Sequence, residues 1–205
     1  MNGVLILDPL KASEFAARRA AEGNDHWDEV WNGRLVVPPL PNNEHQQIQF
    51  LLGAPFLEAV IGPGLGQVFA GVNISDRATG WDQNYRGPDL VVYLATNPAV
   101  NHGTHWQGGP DFLVEIISPG EKPRAKFGFY ESVSTREVLI VHRDPWYLEL
   151  FGLVGGKLVS AGRSDLANPQ LLTSGVVPLT FRLSPGTDRP RIEVTHPPTG
   201  RTWSA

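Results

Sequence analysis

The chain has 205 residues, of which 41% are apolar and 19% are charged, and this suits one compact domain with a well-buried core. It contains no cysteine, so disulfide frameworks, cysteine zinc sites and thiolate catalysis are excluded. Because the net charge is −4, the field of the whole protein does not attract nucleic acid, and any phosphate-binding surface must be built locally by a metal or a small basic cluster.

The sequence predicts neither a membrane span nor an export signal. The most apolar stretch, residues 51–72, is interrupted by Pro55 and Pro63, whereas a spanning helix needs about 20 largely uninterrupted apolar residues. The apolar run from Val4 to Leu7 lacks both the basic segment and the length of a signal peptide. We therefore expect a soluble, cytoplasmic protein.

The N-terminal part is predicted to hold a helix followed by a hairpin. Residues 11–22 have the composition and spacing of a short amphipathic helix, and Gly23 ends it. Asn32 and Gly33 separate two β-prone runs, and this pair favours a type I′ turn, which needs a positive φ angle at both positions. These residues therefore predict a β-hairpin.

A second helix is predicted to begin at a cap formed by Asn42 or Asn43 and to run to about Val60. Pro55 is expected to kink this helix or to end it early, because proline lacks a backbone N–H. The apolar side of the helix is predicted to consist of Ile48, Leu51, Leu52, Pro55 and Leu57. The glycine-rich residues 62–66 that follow are predicted to form a turn.

The remainder is predicted to be rich in strands, at residues 67–74, 89–94, 111–117, 137–142, 147–152, 158–161 and 177–183. The segments 89–94 and 111–117 are nearly continuous apolar runs, which is typical of strands covered on both faces. A helix is predicted over residues 123–133. Beyond Ser184 we expect a loose tail with one edge strand at residues 192–195.

Two acidic residues stand out because apolar residues surround them. Asp89 opens the first of the two apolar runs, and Glu115 lies inside the second. A buried carboxylate needs a partner, since an unpaired buried charge is costly or is neutralised by protonation. The partner can be a metal ion, a basic side chain or a proton, so the residues alone leave an ion pair as open as a metal site.

The segment after Glu115 supplies a basic partner. A helix that follows a strand through a short loop packs back on the sheet, so Lys126 on the predicted helix can face the strand of Glu115. Tyr130 lies one turn later on the same helix face. The alternative is that Lys126 is a solvated surface lysine and Tyr130 a core residue with its hydroxyl at the rim.

Several segments in this order resemble the Uma-type putative restriction endonuclease family, which belongs to the PD-(D/E)XK nuclease superfamily. In the second half of the family pattern they are Pro88-Asp89-Leu90-Val91-Val92, Val114-Glu115-Ile116-Ile117-Ser118-Pro119, Lys126-x-x-x-Tyr130 and Glu137-Val138-Leu139-Ile140-Val141. In the first half they are Glu29-Val30-Trp31-Asn32-Gly33-Arg34-Leu35-Val36, Pro38-Pro39 and Glu44-His45-Gln46. The resemblance covers roughly residues 26–183.

The resemblance implies an α/β fold with a restriction-endonuclease-like core, in which a central mixed β-sheet is flanked by helices and preceded by an N-terminal β-hairpin. It divides the chain into an N-terminal helical extension (residues 1–25), a nuclease domain (residues 26–183) and a C-terminal tail (residues 184–205). The implied activity is metal-dependent endonuclease cleavage of phosphodiester bonds, with DNA as the expected substrate.

The resemblance also implies roles for individual residues. Asp89 and Glu115 would bind Mg²⁺ or Mn²⁺, since hard carboxylate oxygens suit these ions better than zinc. Lys126 would orient the attacking water or stabilise the charge of the transition state, and Tyr130 would support Lys126. Glu44 would add a metal contact. His45 would be structural or would bond to the substrate.

One departure from the superfamily concerns the lysine. The usual position lies two residues after the glutamate on the same strand, and that position is Ile117 in this chain. In the Uma-type family the lysine is placed on the following helix, where Lys126 fits. Lys122 is nearer to the loop and competes for the role.

Two other functions remain open. The first is a catalytically inactive nuclease-like module that binds nucleic acid or a protein partner, which the net acidity of the chain favours. The second is a β-rich domain in which His102 and His105 hold a metal, since they have an H-x-x-H spacing.

For an active endonuclease we expect a homodimer, because cutting both DNA strands requires two sites.

Overall fold

A computed structural model describes residues 4–5, 9–23, 25, 27–38, 40–118 and 121–205, and within them it contains three α-helices and three β-sheets. Part of the predicted features therefore lies outside the described residues, namely the end of the Val4 to Leu7 run, Pro39, Pro119 and Gly120. No helix in the described ranges combines the length and apolar character needed to cross a membrane.

The N-terminal part contains, in chain order, β1 (Val4–Leu5), α1 (Pro9–Ala21), β2 (Glu29–Trp31), β3 (Arg34–Val37) and α2 (Asn43–Phe56). The predicted hairpin is confirmed, because β2 and β3 pair antiparallel around Asn32 and Gly33. Both turn residues have positive φ angles, 51° and 77°, as a type I′ turn requires. The first predicted helix is also confirmed as α1.

Asn42 caps α2, since its side chain accepts a hydrogen bond from the backbone N–H of His45 at 2.9 Å. The α-helix ends at Phe56, one residue after Pro55 and before the predicted end near Val60, so the expected early end is confirmed for the α-helix. The chain then continues as a π-helix over Leu57–Ile61. Leu57 was expected on the apolar side but is exposed, because Phe56 continues the four-residue spacing of Ile48 and Leu52.

The middle of the chain contains β4 (Gly66–Ala70), β5 (Ile74–Ser75), β6 (Tyr85–Arg86), β7 (Leu90–Leu94), β8 (Val100–Asn101), β9 (Trp106–Gln107) and β10 (Phe112–Ile116). The single strand predicted over residues 67–74 is wrong. Gly71 has a positive φ angle of 61°, so the chain turns there and places β4 and β5 in different sheets.

The last part contains α3 (Phe127–Ser132), β11 (Glu137–Arg143), β12 (Trp146–Val154), β13 (Lys157–Asp165), β14 (Leu172–Thr173), β15 (Thr180–Ser184), β16 (Arg191–His196) and β17 (Arg201–Ser204). A 3₁₀ turn, Pro123–Lys126, precedes α3, so the helix predicted over residues 123–133 is present in two parts. The loose tail expected after Ser184 is wrong, because β16 and β17 pair with each other and Ile192 and Val194 are fully buried.

A central six-stranded sheet has the order β13-β12-β11-β10-β7-β4. The pair β10 and β11 is parallel and the other pairs are antiparallel, so the sheet is mixed as predicted. One face of this sheet packs against α2 and a C-terminal sheet of β14 to β17, and the other packs against α3. The N-terminal hairpin belongs to a third sheet, with the order β1-β3-β2-β6-β5-β9-β8.

Candidate active site

Asp89 and Glu115 lie beside each other at the end of the central sheet. The register of β7 and β10 ends at the pair Leu90 and Val114. Asp89 lies one residue before β7, and its Oδ2 accepts from the backbone N–H of Ile116, the residue after Glu115, at 2.6 Å. Both side chains are buried, and both line the same cavity. The fold therefore brings the two predicted acids together.

Glu115 is held by two donors from the segment that packs over it. The ammonium group of Lys126 lies 3.0 and 3.2 Å from its two carboxylate oxygens, and the hydroxyl of Tyr130 donates to Oε1. Burial raises the pKa of Glu115 to about 7, since Lys126 only partly offsets it and the carboxylates of Asp89 and Glu29 add to the rise. Glu115 thus sits poised between its neutral and charged forms.

Lys126 faces this carboxylate because it is the last residue of the 3₁₀ turn before α3. Although burial lowers the pKa of Lys126, Glu115 and Glu29 raise it above its usual value, so the side chain is charged. Lys122, the competing lysine, is exposed on the wall of the same cavity, and the described residues contain no ion pair between it and Glu115. The geometry favours Lys126.

A third carboxylate, Glu29, was not singled out from the sequence. Its Oε1 accepts from Lys126 at 2.9 Å and from the backbone N–H of Gly87 at 3.0 Å, and its Oε2 accepts from the indole N–H of Trp31 at 2.7 Å. Burial favours its neutral form, but Lys126 and these donors hold the pKa of Glu29 below its usual value. The sequence feature that could have indicated Glu29 is an acidic residue in an otherwise apolar strand, which is also the feature that indicated Glu115.

His45 supports Asp89 from α2. Its Nε2 lies 3.2 Å from Oδ1 of Asp89, whose Oδ2 accepts from the backbone N–H of Ile116 at 2.6 Å. Nδ1 of His45 is buried and has no hydrogen-bond partner among the described residues. The amide of Gln49, one turn later on α2, donates to the backbone carbonyl of Asp89 at 2.7 Å. The helix therefore fixes both the side chain and the backbone of Asp89.

Glu44 does not join the other acids. Its carboxylate pairs with the buried guanidinium of Arg143 at 3.0 Å and lies 3.9 Å from that of Arg189. Neighbouring residues on a helix point about 100° apart, so Glu44 and His45 cannot both face Asp89. The structure does not support the additional metal contact expected of Glu44.

The cavity beside Asp89 and Glu115 has a volume of about 480 Å³. Its lining combines charged groups with indole and proline rings, namely Asp89, Glu115, Glu29 and Lys126 together with Trp27, Trp31, Pro38 and Pro41. A larger cavity of about 610 Å³ lies around Asp111. The carboxylate of Asp111 already binds Arg136 and the amide of Asn97, so this second cavity offers no comparable chemistry.

The donor set at Asp89 and Glu115 fits a hard divalent cation. Mg²⁺ is commonly bound by one or two carboxylates and completes its shell with water and substrate phosphate oxygens. Two carboxylates that line one cavity meet this requirement, and the buried Nδ1 of His45 is a further polar atom without a partner in the part of the chain that the structure describes. The described residues contain no group of three or more acidic or histidine ligands, so a closed zinc-type site is not formed among them.

His102 and His105 do not converge on a metal position. Their rings stack with centroids 4.8 Å apart. Nε2 of His105 lies 3.1 Å from the backbone carbonyl of Arg77, whereas Nε2 of His102 lies 3.1 Å from the side-chain oxygen of Gln107. Since these nitrogens point to different partners, the pair is a ring stack between buried His105 and exposed His102 and not a ligand set.

The profile of the Uma2 family, described as "Putative restriction endonuclease", matches residues 12–184. The chain belongs to the Uma2 family. The family pattern thus spans most of α1 and ends with β15, and it confirms the resemblance found in the sequence. The family and the mixed-sheet fold support a nuclease.

The fold of this Uma2 protein is similar to a solved structure titled as a putative nuclease belonging to DUF820 from Anabaena variabilis. The two share 15% sequence identity with a TM-score of 0.57, over 72% of this chain and 80% of the other. At this identity the likeness shows the fold alone. No significant match was found among the curated proteins.

Proposed function

We propose that this Uma2 protein is a metal-dependent endonuclease that hydrolyses phosphodiester bonds in DNA. The observation that carries the proposal is that Asp89 and Glu115 line one cavity, with Asp89 bonded to the backbone N–H next to Glu115 and the ammonium group of Lys126 3.0 Å from Glu115. Phosphodiester hydrolysis chiefly requires charge neutralisation and an in-line water, and this set of groups can supply both.

Each residue has a role that follows from its contacts. Asp89 and Glu115 would hold Mg²⁺ or Mn²⁺, which when bound polarises the phosphate and acidifies its bound water. Lys126 places a positive charge where the non-bridging phosphate oxygens gain negative charge. Tyr130 orients the carboxylate of Glu115 through its hydroxyl, and His45 orients that of Asp89.

The choice of nucleic acid as substrate draws support from the aromatic part of the cavity lining. Indole rings stack on bases of any sequence, and Trp27 and Trp31 line the same cavity as the acids. Charge is supplied locally by Lys126 and a metal, which suits a protein whose overall charge is negative.

We further propose a homodimer, because two sites are needed to cut both strands. The cytoplasmic location stays a prediction.

The proposal is tested by Glu115→Gln in an assay of Mn²⁺-dependent nicking of supercoiled plasmid. We expect the variant to keep its fold and to lose nicking by at least a hundredfold, since a metal ligand is removed. Glu121→Gln is the matched control, because Glu121 lines the same cavity but accepts only from the backbone N–H of Ser118 among the bonds described. Nicking by Glu115→Gln at the rate of this control would remove Glu115 from the mechanism.

A catalytically inactive binding module is the second candidate. It is favoured by the position of Lys126, whose ammonium group already contacts both oxygens of Glu115. Calorimetric titration with Mn²⁺ separates the two functions. An active site predicts binding that Asp89→Asn abolishes, whereas an inactive module predicts no binding that depends on Asp89.

A further inference from the structure

Glu29 reaches the candidate site from a different sheet. It lies on β2 of the N-terminal hairpin, 97 residues before Lys126, yet its Oε1 is 2.9 Å from the lysine nitrogen. The carboxylate is buried and is fixed by the indole N–H of Trp31 and the backbone N–H of Gly87. Glu29 is thus a buried acid that accepts hydrogen bonds from three donors. The roles proposed for Asp89, Glu115 and Lys126 do not account for it.

Lys126 and a metal ion compete for the same oxygens. In the structure the ammonium group lies 3.0 and 3.2 Å from the two oxygens of Glu115, which are the atoms that would coordinate the cation. Two positive charges that share one carboxylate repel each other, and this repulsion is strong away from bulk water. The half-buried lysine must therefore have a second anion to stay charged at the site when a metal binds.

Glu29 is better suited to be this second anion for Lys126 than to be a metal ligand. Both of its oxygens are already engaged, Oε2 by Trp31 and Oε1 by Gly87 and Lys126. The donors are the indole N–H of Trp31, at the end of β2, and a backbone N–H of Gly87, and neither of them competes with a metal for Glu115. The position of Glu29 thus fixes a point to which the flexible lysine side chain stays attached.

We infer that Glu29 is a positioning residue that retains Lys126 beside Glu115 while Glu115 turns from the ammonium group to the metal. This inference rests on the proposed function of Asp89 and Glu115. It assigns to the N-terminal hairpin a direct part in the site, since the hairpin delivers the anion that keeps the lysine near the scissile phosphate without blocking the metal. Glu29 acts through Lys126 and does not touch the metal or the substrate.

The test measures Mn²⁺ affinity by calorimetry, without reference to activity. In Glu29→Gln the ammonium group has only Glu115 as an anionic partner, so we expect Mn²⁺ to bind about tenfold more weakly, as is typical when a supporting residue of a metal site is lost. Glu29→Asp keeps the charge but shortens the side chain by one methylene, and we expect it to weaken binding in the same direction. Glu121→Gln controls for the loss of one negative charge in the cavity.

Measuring the Glu29→Gln effect in a Lys126→Met variant tests whether Glu29 acts through the lysine. Without the lysine there is no competitor at Glu115, so Glu29→Gln in the Lys126→Met background should change Mn²⁺ affinity no more than Glu121→Gln does. An effect of equal size with and without Lys126 would overturn the inference in favour of a general charge effect. Loss of all binding in Glu29→Gln, as in Asp89→Asn, would overturn it in favour of a third ligand.

The activity assay gives an independent readout. At saturating Mn²⁺ we expect Glu29→Gln to lower kcat of plasmid nicking about tenfold with little change in KM, since Lys126 is then less well placed in the transition state. A merely structural role would lower the melting temperature and would lower the apparent kcat only in proportion to the folded fraction, so kcat is expressed per folded protein. If the wild type binds Mn²⁺ and nicks DNA while Glu29→Gln and Glu29→Asp match it, the inference fails and the proposed function stands. If the wild type binds no Mn²⁺, the proposed function and the exchange at Glu115 both fail.

Discussion

At the residue scale, Glu115 lies where four ionisable groups meet. Asp89 and Glu29 disfavour its charge, Lys126 favours it, and Tyr130 donates a hydrogen bond to it. Burial dominates and raises the pKa of Glu115 to about 7, which is above the value near 4.5 expected in an unfolded chain. A metal would be bound by the charged form, so metal binding should release a proton and strengthen as pH rises toward 7.

The raised pKa makes a prediction about stability without metal. Between about pH 4.5 and 7 the folded chain binds more protons at Glu115 than the unfolded chain does, so the free energy of unfolding falls as pH rises through this range. Glu115→Gln removes this contribution. We expect the variant to gain on the order of 3 kcal/mol in free energy of unfolding relative to the wild type between pH 4 and pH 8.

Urea unfolding at several pH values measures this difference. Asp89, Glu29 and Lys126 are present in both proteins, so their own titrations largely cancel in the comparison. A difference between the two proteins that is flat across the range would show that burial does not raise the pKa of Glu115.

At the scale of elements, the residue that caps the N-terminus of α2 also affects the geometry of the candidate site. The side-chain oxygen of Asn42 accepts from the backbone N–H of His45 at 2.9 Å and from Arg143 at 2.9 Å. The residue that begins the helix thus also fixes the start of the turn from which His45 contacts Asp89. Stability and site geometry depend on the same cap.

Asn42→Ala is predicted to cost about 1–2 kcal/mol in the free energy of unfolding, because a helix N–H loses its cap and the buried Arg143 loses an acceptor. Asn43→Ala is the control, since Asn43 is exposed and is the first residue inside the helix. Denaturant unfolding of the two variants provides the measurement. Equal stability of the two would mean that Asn42 does not act as the cap.

At the scale of the whole molecule, the C-terminal residues complete the core on one face of the central sheet. Ile192 and Val194 of β16 are fully buried and belong to the same apolar cluster as Phe56 of α2 and Leu139 of β11. The last strands therefore hold α2 against the sheet, and the sheet carries the two acids. Residues far from the site in sequence contribute to its stability.

Ile192→Ala is predicted to destabilise the protein by about 2–4 kcal/mol, because it leaves a cavity in this cluster. Val159→Ala, at an exposed position of β13, should change the stability by less than about 0.5 kcal/mol. Thermal unfolding compares the two. If Ile192→Ala were as mild as the control, the C-terminal strands would not be part of the core.

Local signals predicted much of the fold, and long-range contacts account for most of the rest. The Asn32-Gly33 turn and the apolar runs around Asp89 and Glu115 depend on neighbours in sequence, and all three were predicted correctly. The break at Gly71 depends on which sheet each half joins. The role of Glu29 depends on a lysine 97 residues away, which no local pattern reveals. The strands after Ser184 have short apolar alternation that only their partners stabilise.

The central claim is that Asp89 and Glu115 together hold a divalent cation. A crystal grown with Mn²⁺ and measured at a wavelength that gives anomalous signal tests it directly. We expect an anomalous peak that lies within coordination distance of one oxygen from each of the two carboxylates. That distance is about 2.1 Å for an ion of the Mg²⁺ type. A Mn²⁺ peak elsewhere, or both carboxylates bonded only to protein at a Mn²⁺ concentration that supports nicking, would contradict it.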